Sequence, residues 1–331
     1  MTKNKFAARR ILIAVLIAGL VGLLSLLVVR HFYTIQRQAI PRWAIGRYVF
    51  DNQFKVTADQ PNPVFSIKDL QGVEAEFVAD PFVFQTADSL YLFYEMGLKR
   101  EYNGWTGVIA LASSKEGVKW NDLGVVLRDS VIISFPVVYE IDNDYYMTIE
   151  GAAANNLRLF KATNFPTAWV CVDTLLTGKW SDPVIHEHQG FYYLFTSKPS
   201  YHDLHLFYSD NFFGPYVEHP SSPIVKDNPS QGRNAGKIFK MGEDLYRPVQ
   251  DCSRIYGEKV RMMKVQTLST SDYSETEALK SPILAGSGSG WNKKKMHTFN
   301  AFNMGHNGFS VITDGTPVNY EYRIKLLKRK R

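Results

Sequence analysis

Asp80-PFVFQTADSLYLFY-Glu95 sets two apolar, alternating runs around a polar turn, the pattern of a β-hairpin. Four more copies follow it: Phe135-PVVYEIDNDYYMTI-Glu150, Asp182-PVIHEHQGFYYLFT-Ser197, Ala235-GKIFKMGEDLYRPV-Gln250 and Asn300-AFNMGHNGFSVITD-Gly315. Their first residues are 55, 47, 53 and 65 positions apart, and self-similarity at such a period marks a repeat architecture. In the first four copies a third apolar strand comes next, as in Val108-IALAS-Ser114, Leu157-RLFK-Ala162, Leu204-HLFY-Ser209 and Val260-RMMK-Val265, with a divergent fourth after it. Four strands in roughly fifty residues make one blade of a β-propeller. The repeats therefore predict an all-β, five-bladed β-propeller. A doubly wound sheet would need amphipathic helices between the strands, and the sequence has none there.

Outward from the repeats the chain changes character. Residues 11–29 read ILIAVLIAGLVGLLSLLVV without a charge, and at about 1.5 Å per residue they would extend roughly 28 Å, close to the thickness of a hydrocarbon core. No small-x-small cleavage site follows, so the expectation is an uncleaved, single-pass N-terminal transmembrane helix. The short basic tail before it favours the tail inside and the body on the non-cytoplasmic side. The expected division is a basic tail (1–10), an anchor (11–29), a linker (30–73), the propeller (74–320) and a basic C-terminal tail (321–331). The Trp43-Ala-Ile-Gly46 patch is expected to pack part of the linker on the propeller.

The formal charge of +6 sits at the ends. Residues 1–47 carry eight basic residues and no acid, residues 321–331 carry six basic residues and one acid, and the body between them is left at −7. A basic groove for nucleic acid is therefore a poor first reading, and no nucleic-acid partner is expected; the tail would touch anionic headgroups or be solvated. Cys171 and Cys252 fit no CxxC or zinc spacing, and Cys171, in Trp169-Val-Cys-Val172, reads as a buried free thiol. Gly286-SGS-Gly290 reads as a loop between blades four and five. His186-Glu-His188 places two imidazoles on one strand face near His202 and His205, but nothing completes a metal set and an outward-facing strand is the simpler reading. No cofactor is expected.

The innermost strand of each blade lines the central channel, and the residue opening each repeat lies where that strand reaches one face of the disc. Asp80, Phe135, Asp182, Ala235 and Asn300 hold those positions, with Arg233, Asn234 and His297 just upstream of the last two. Asp80 and Asp182 can thus converge across the channel mouth, and the hairpin ends add Glu95, Glu150, Gln250 and Asp251. Paired carboxylates are the machinery of glycosidic-bond chemistry, one acting as base or nucleophile and another as acid. The competing reading is that Asp before Pro starts a turn. Trp105 and Trp291, in Gly-containing loops, are the candidates for sugar stacking.

The Asp-Pro strands of blades one and three, followed by Tyr91-Leu-Phe-Tyr94 and Tyr192-Tyr-Leu-Phe195, resemble the five-bladed glycoside hydrolases of families 43 and 32. That resemblance implies Asp80 as general base and Asp182 as the residue that tunes the acid. The family's Glu-Gly-Pro acid aligns with Ala235-Gly-Lys237, so the expected acid is missing unless Glu95, Glu150 or Asp251 replaces it. A resemblance covering more of the chain is to the N-terminal domain of glucosamine inositolphosphorylceramide transferases. It is carried by Glu76-FVADP-Phe82, Ser134-Phe-Pro-Val137, Tyr146-MTI-Glu150, Gly232-RNA-Gly236 and Leu245-YRPVQD-Cys252 with Tyr256-Gly257. It singles out Arg233, Asn234, Arg247, Gln250 and Asp251; Arg233 would bind a carboxylate or phosphate, or pair internally with Asp182 or Asp251. The expectation is a membrane-anchored carbohydrate-active protein with Asp80, Asp182 and Glu150 at the chemistry. Glu95, Arg233, Asn234, Arg247, Gln250, Asp251 and His297 would hold a glycan or glycolipid substrate. The alternative is a non-catalytic glycan-binding propeller serving a separate glycosyltransferase.

Overall fold

The computed structural model describes residues 15–25, 33–40, 42–58, 61–99, 105–200, 202–305, 308–317 and 319–326. The chain forms two compact units, Met1–Ile40 with Asn319–Arg331, and Pro41–Val318. In the first unit, residues 15–25 are helical with exposed apolar side chains. Tyr33–Ile40 pairs antiparallel with Asn319–Leu326, setting Gln36 opposite Arg323 and Thr34 opposite Lys325. Part of the basic C-terminal segment is thus a strand. No described helix is long and apolar enough to cross a membrane; residues 11–14 and 26–29 of the expected anchor lie outside the described residues.

The second unit is the five-bladed propeller that the repeats predict. Blade one is Ala75–Gln85, Leu90–Lys99, Trp105–Ser114 and Asn121–Leu127, each hydrogen-bonded to the next. Blade two is Ser134–Ile141, Asp144–Glu150, Asn156–Asn164 and Ala168–Thr177, and blade three is Ser181–His188, Phe191–Ser197, Leu204–Ser209 and Val217–Glu218. Blade four runs from Phe239–Met241 through Asp244–Asp251 and Lys259–Leu268 to Tyr273–Glu277, with Leu284–Ala285 also pairing on its third strand. Blade five begins with Asn300–Gly305 and Gly308–Gly315. Its two outer strands come from the other end of the chain, Ala44–Phe50 and Val56–Ala58, with Ala44 opposite Gly315 and Phe50 opposite Phe309. The Trp43-Ala-Ile-Gly46 patch therefore does more than pack on the disc: it enters a sheet and closes the ring.

Strand alternation explains the core. On the second strand of blade one, Leu92 and Tyr94 point to Ile45, Phe302 and Ile312 of blade five, while Phe93 points with Ile109 to Met147 and Trp169 of blade two. Each sheet has two buried faces, and the aromatic second strands fill the seams between blades. Closer to the axis, Phe82, Phe135, Val137 and Val184 from three inner strands form a further apolar cluster, Phe82 and Phe135 with ring centroids 4.7 Å apart. Lys237 reaches from blade four to blade two, its Nζ donating to Val138 O at 2.6 Å. Burial pushes this ammonium down to about 8.

Two expectations change at this level. Cys171 is exposed, because Ala168–Thr177 is the outermost strand of blade two and Val170, Cys171 and Val172 all face solvent there. Trp291 lies in the seam of blade five, its ring so close to Gly46 and Gly315 that a Cβ at either would fall within 2.8 Å of it. It packs the closing strand rather than the channel mouth.

Because Ile45 and Phe50 are buried against the rest of the ring, a chain beginning after Ala58 is expected to lose its cooperative melting transition. A chain beginning at Pro41 is expected to keep it. Far-ultraviolet circular dichroism on heating separates the two, and a cooperative transition in the shorter chain would contradict the closure described here.

Candidate active site at the channel mouth

The inner strands of blades one, two and three break register at one equivalent point, between Ala79 and Phe82, Ser134 and Val137, and Ser181 and Val184. Within each break the residue opening the repeat has left-handed backbone, φ being 50° at Asp80, 53° at Phe135 and 49° at Asp182. Such a bulge frees one residue from the strand's two-sided alternation and re-aims its side chain. At blades one and three the re-aimed residue is an aspartate, and both are buried, Asp182 completely.

Each aspartate is gripped by an acid from the blade before it. The Asp182 amide donates to Glu150 Oε2 at 3.2 Å, and Ser181 Oγ donates to Glu150 Oε1 at 3.3 Å. In the same way the Asp80 amide donates to Asp314 Oδ2 at 2.9 Å. Two blade junctions thus use one device, a carboxylate at the end of the preceding hairpin holding the bulge of the next blade.

Around Asp182 the charge is balanced by Arg233. Its Nε and Nη2 donate to the two Asp182 oxygens, Nη2 at 3.2 Å, and Nη2 also lies 3.5 Å from Glu150 Oε2. Burial pushes the Asp182 carboxyl upward and Arg233 opposes it, while the same pair holds Arg233 charged despite its burial. The guanidinium stacks on the Tyr256 ring, 4.8 Å from its centroid. Asn234 Nδ2 supports the pair from below, donating to Asp182 O and Phe195 O at 2.9 and 3.1 Å.

Around Asp80 the partner is His297. Its Nδ1 donates to Asp314 Oδ1 at 2.6 Å, and its Nε2 faces Asp80 Oδ1 at 3.5 Å. Burial would raise Asp314, but His297, the Asp80 amide and Thr298 outweigh it and hold this carboxyl below its ordinary range. Asp80 is pushed up to about 6, chiefly by burial, with His297 opposing and Asp314 adding. Trp43 stacks on the imidazole, centroids 4.1 Å apart and planes within 17°. Asp80, His297 and Asp314 offer ligand atoms within 4.8 Å of one another. The Nδ1–H of His297 is committed to Asp314, which fixes the ring and leaves its Nε2 turned toward Asp80.

Glu95 completes the mouth. It is 6% exposed and feels Asp80, Glu150, Asp314 and Arg233, and burial together with the neighbouring carboxylates raises it well above the usual carboxylate range. Asp80, Glu95, Glu150, Asp182, Arg233 and His297 therefore meet. Arg247, Gln250 and Asp251 go elsewhere. Arg247 is fully buried on Glu275 of its own blade, Nη2 to Oε1 at 2.5 Å. Gln250 Nε2 donates to Asn234 O at 2.8 Å, and Asp251 accepts from Arg261 Nε at 2.7 Å. Ala235 is buried, and Gly236 keeps the glycine of the Glu-Gly-Pro pattern, since a Cβ there would lie 2.0 Å from Phe299 O. The side chain of Trp105 lies outside what is described. From sequence, Trp43 was named only as part of a packing patch and Tyr256 only within a family pattern, and Asp314 was passed over. Asp314 carried a usable signal, since it sits one residue before the position that Glu95 and Glu150 occupy in their repeats.

The propeller is similar to solved glycoside hydrolases at low identity. A GH43_1 enzyme from Xanthomonas citri superposes with a TM-score of 0.53 at 12% identity, covering 76% of this chain and 88% of that one. Zg3597, a family 117 glycoside hydrolase from Zobellia galactanivorans, gives 0.50 at 15% identity over 84% and 91%. These support the fold alone. Sequence relatives are nearer: glucosamine inositolphosphorylceramide transferase 1 of Oryza sativa subsp. japonica is 33% identical over 255 residues, 75% of this chain and 34% of that protein. The protein of the same name from Arabidopsis thaliana is 30% identical over 300 residues, 83% of this chain and 39% of that one. The chain thus spans little more than a third of the length of these relatives. The model of the family described as glucosamine inositolphosphorylceramide transferase 1, N-terminal, matches residues 48–316, from within the closing strand to the end of blade five, and this chain belongs to that family.

Proposed function

We propose that this protein is a membrane-anchored carbohydrate-active enzyme that makes or breaks a glycosidic bond on a cell-envelope or lipid-linked glycan at the channel mouth. The observation that carries the reading is the meeting of Asp80, Glu95 and Glu150 with the Asp182–Arg233 pair from four blades. Asp80, a carboxylate pushed up to about 6, is suited to accept a proton from an incoming hydroxyl near neutral pH. Asp182 and Arg233 fix the far side of the site, and Glu150 orients them. The apolar segment at 11–29 would hold the propeller at the membrane, on its non-cytoplasmic side. The names of the family's relatives make a glucosamine-bearing glycolipid the first substrate to try.

A second reading, a propeller that binds a glycan for a separate glycosyltransferase, draws on one observation: the residue at the expected acid position is the buried Ala235. Incubating the protein with envelope glycans, glucosamine-bearing glycolipids and activated sugars, read by mass spectrometry, decides between them. The enzyme reading expects mass changes that Asp80→Asn abolishes. Binding without any mass change, unaffected by Asp80→Asn and Asp182→Asn, would replace it with the second.

A further inference from the structure

Three hairpin ends bring a carboxylate to the mouth, and two of them are occupied structurally. Asp314 at the end of blade five clamps the bulge of blade one, and Glu150 at the end of blade two clamps the bulge of blade three. Glu95 holds the equivalent place on blade one, beside the bulge of blade two at Phe135, yet among the described residues no hydrogen bond ties that bulge to it. Its Oε1 is buried and has no hydrogen-bond partner among the described residues. A buried polar atom without a partner costs about 1–3 kcal/mol, and native structures carry few of them without a reason.

The surroundings are shaped to keep it there. Glu95 lies opposite Ala79 at the point where the Asp80 bulge begins, so both acids belong to one edge of blade one. On the other side, Gly97 and Gly107 face each other across the next strand pair. A Cβ on Gly107 would lie 2.6 Å from Glu95 Oε1 and 2.8 Å from Ile133 O, so the missing side chain is what leaves room for the carboxyl. The charges facing it are Asp80, Glu150, Asp314 and Arg233, three acids against one base. That balance favours a neutral carboxylic acid, which can donate a proton.

We propose that Glu95 is the proton donor of this site, supplying from blade one what Ala235 cannot supply from blade four. The inference rests on the enzyme reading above. In the step it implies, the bond between the anomeric carbon and the leaving oxygen breaks, the electron pair goes to that oxygen, and the Glu95 proton joins it. The incoming oxygen, from water or from a hydroxyl of an acceptor, bonds to the anomeric carbon and gives its proton to Asp80. Glu95 ends ionised and Asp80 protonated, and exchange with solvent resets both.

Two measurements test this separately. Infrared spectroscopy of the full chain in detergent at pH 7 should show a carboxylic C=O band that disappears in Glu95→Gln and persists in Asp80→Asn. Turnover of dinitrophenyl and methyl glycosides of the panel sugars, glucosamine first, should split by leaving group. Glu95→Gln is expected to lose roughly 10²- to 10⁴-fold on the methyl glycoside and far less on the dinitrophenyl one, whose leaving group needs no proton. Glu95→Asp should recover part of the loss. An absent band, or equal losses on the two glycosides with an active parent, overturns the donor role alone. A parent inactive on every sugar, with the band present, overturns the enzyme reading and the donor role with it.

Discussion

Asp80→Asn is expected to cut turnover by orders of magnitude and, at pH 7, to raise the melting temperature. The two effects share one cause. Asp80 is pushed from 3.8 to about 6 by burial, with His297 and Arg233 opposing the rise and Asp314 and Glu150 adding to it. A folded-state value above the unfolded one means the folded chain binds that proton more tightly, so ionising Asp80 costs stability as pH rises from about 4 through about 6. Asparagine keeps the shape and removes the cost. Each pH unit separating the folded and unfolded values is worth about 1.4 kcal/mol, and each kcal/mol moves the melting point of a domain of this size by roughly 2–4 °C, so the gain at pH 7 should be several degrees. It should shrink as the pH falls toward 4 and vanish only well below 3.8, where both states are protonated. Turnover should fall by roughly 10²- to 10⁴-fold, and the parent's acidic limb should lie near 6. Calorimetry from pH 4 to 8 beside the glycoside assay checks both. A variant that melts at or below the parent at pH 7 would show that the Asp80 charge is better accommodated than its burial implies.

Arg233→Ala should act in the opposite direction and more strongly. It strands Asp182, which has no solvent exposure, beside Glu150 and takes away the guanidinium that both share. Removing one member of a buried pair costs about 3–5 kcal/mol, enough to threaten a fold of ordinary stability. Without Arg233 the Asp182 carboxyl is raised further, so the loss should be greater at pH 8 than at pH 5, where protonation relieves the stranded charge. Adding Asp182→Asn should restore part of the stability, and urea unfolding of the four chains gives the coupling directly. If Arg233→Ala and the double variant unfold alike at both pH values, the pair is not what holds blades three and four together at the mouth.

Local pattern made most of the ring legible. Each hairpin carries its own alternation and turn, so Asp80, Asp182, Glu95 and Glu150 were located by their places within a repeat. Contacts across the ring closure were not legible in that way. Ala44–Phe50 alternates like a strand, but only the shortage of strands in the last repeat says which sheet it completes. Trp43 stacks on His297 for the same reason, from the far end of the chain. Arg247, Gln250 and Asp251 came with a family pattern, which marks residues without saying whether they face a ligand or, as their contacts with Glu275, Asn234 and Arg261 show, the interior of one blade. Cys171 sat in an apolar run, and burial was the wrong reading because an outermost strand has no neighbour on its far edge.

The closing strand also sets an order of events in synthesis. Ala44–Phe50 leaves the ribosome before any blade exists, yet its partner Gly308–Gly315 is among the last parts of the ring to be made. At about 5–20 residues per second, the strand waits on the order of tens of seconds with Ile45 and Phe50 exposed. Its unpaired edge is open to other chains throughout that interval.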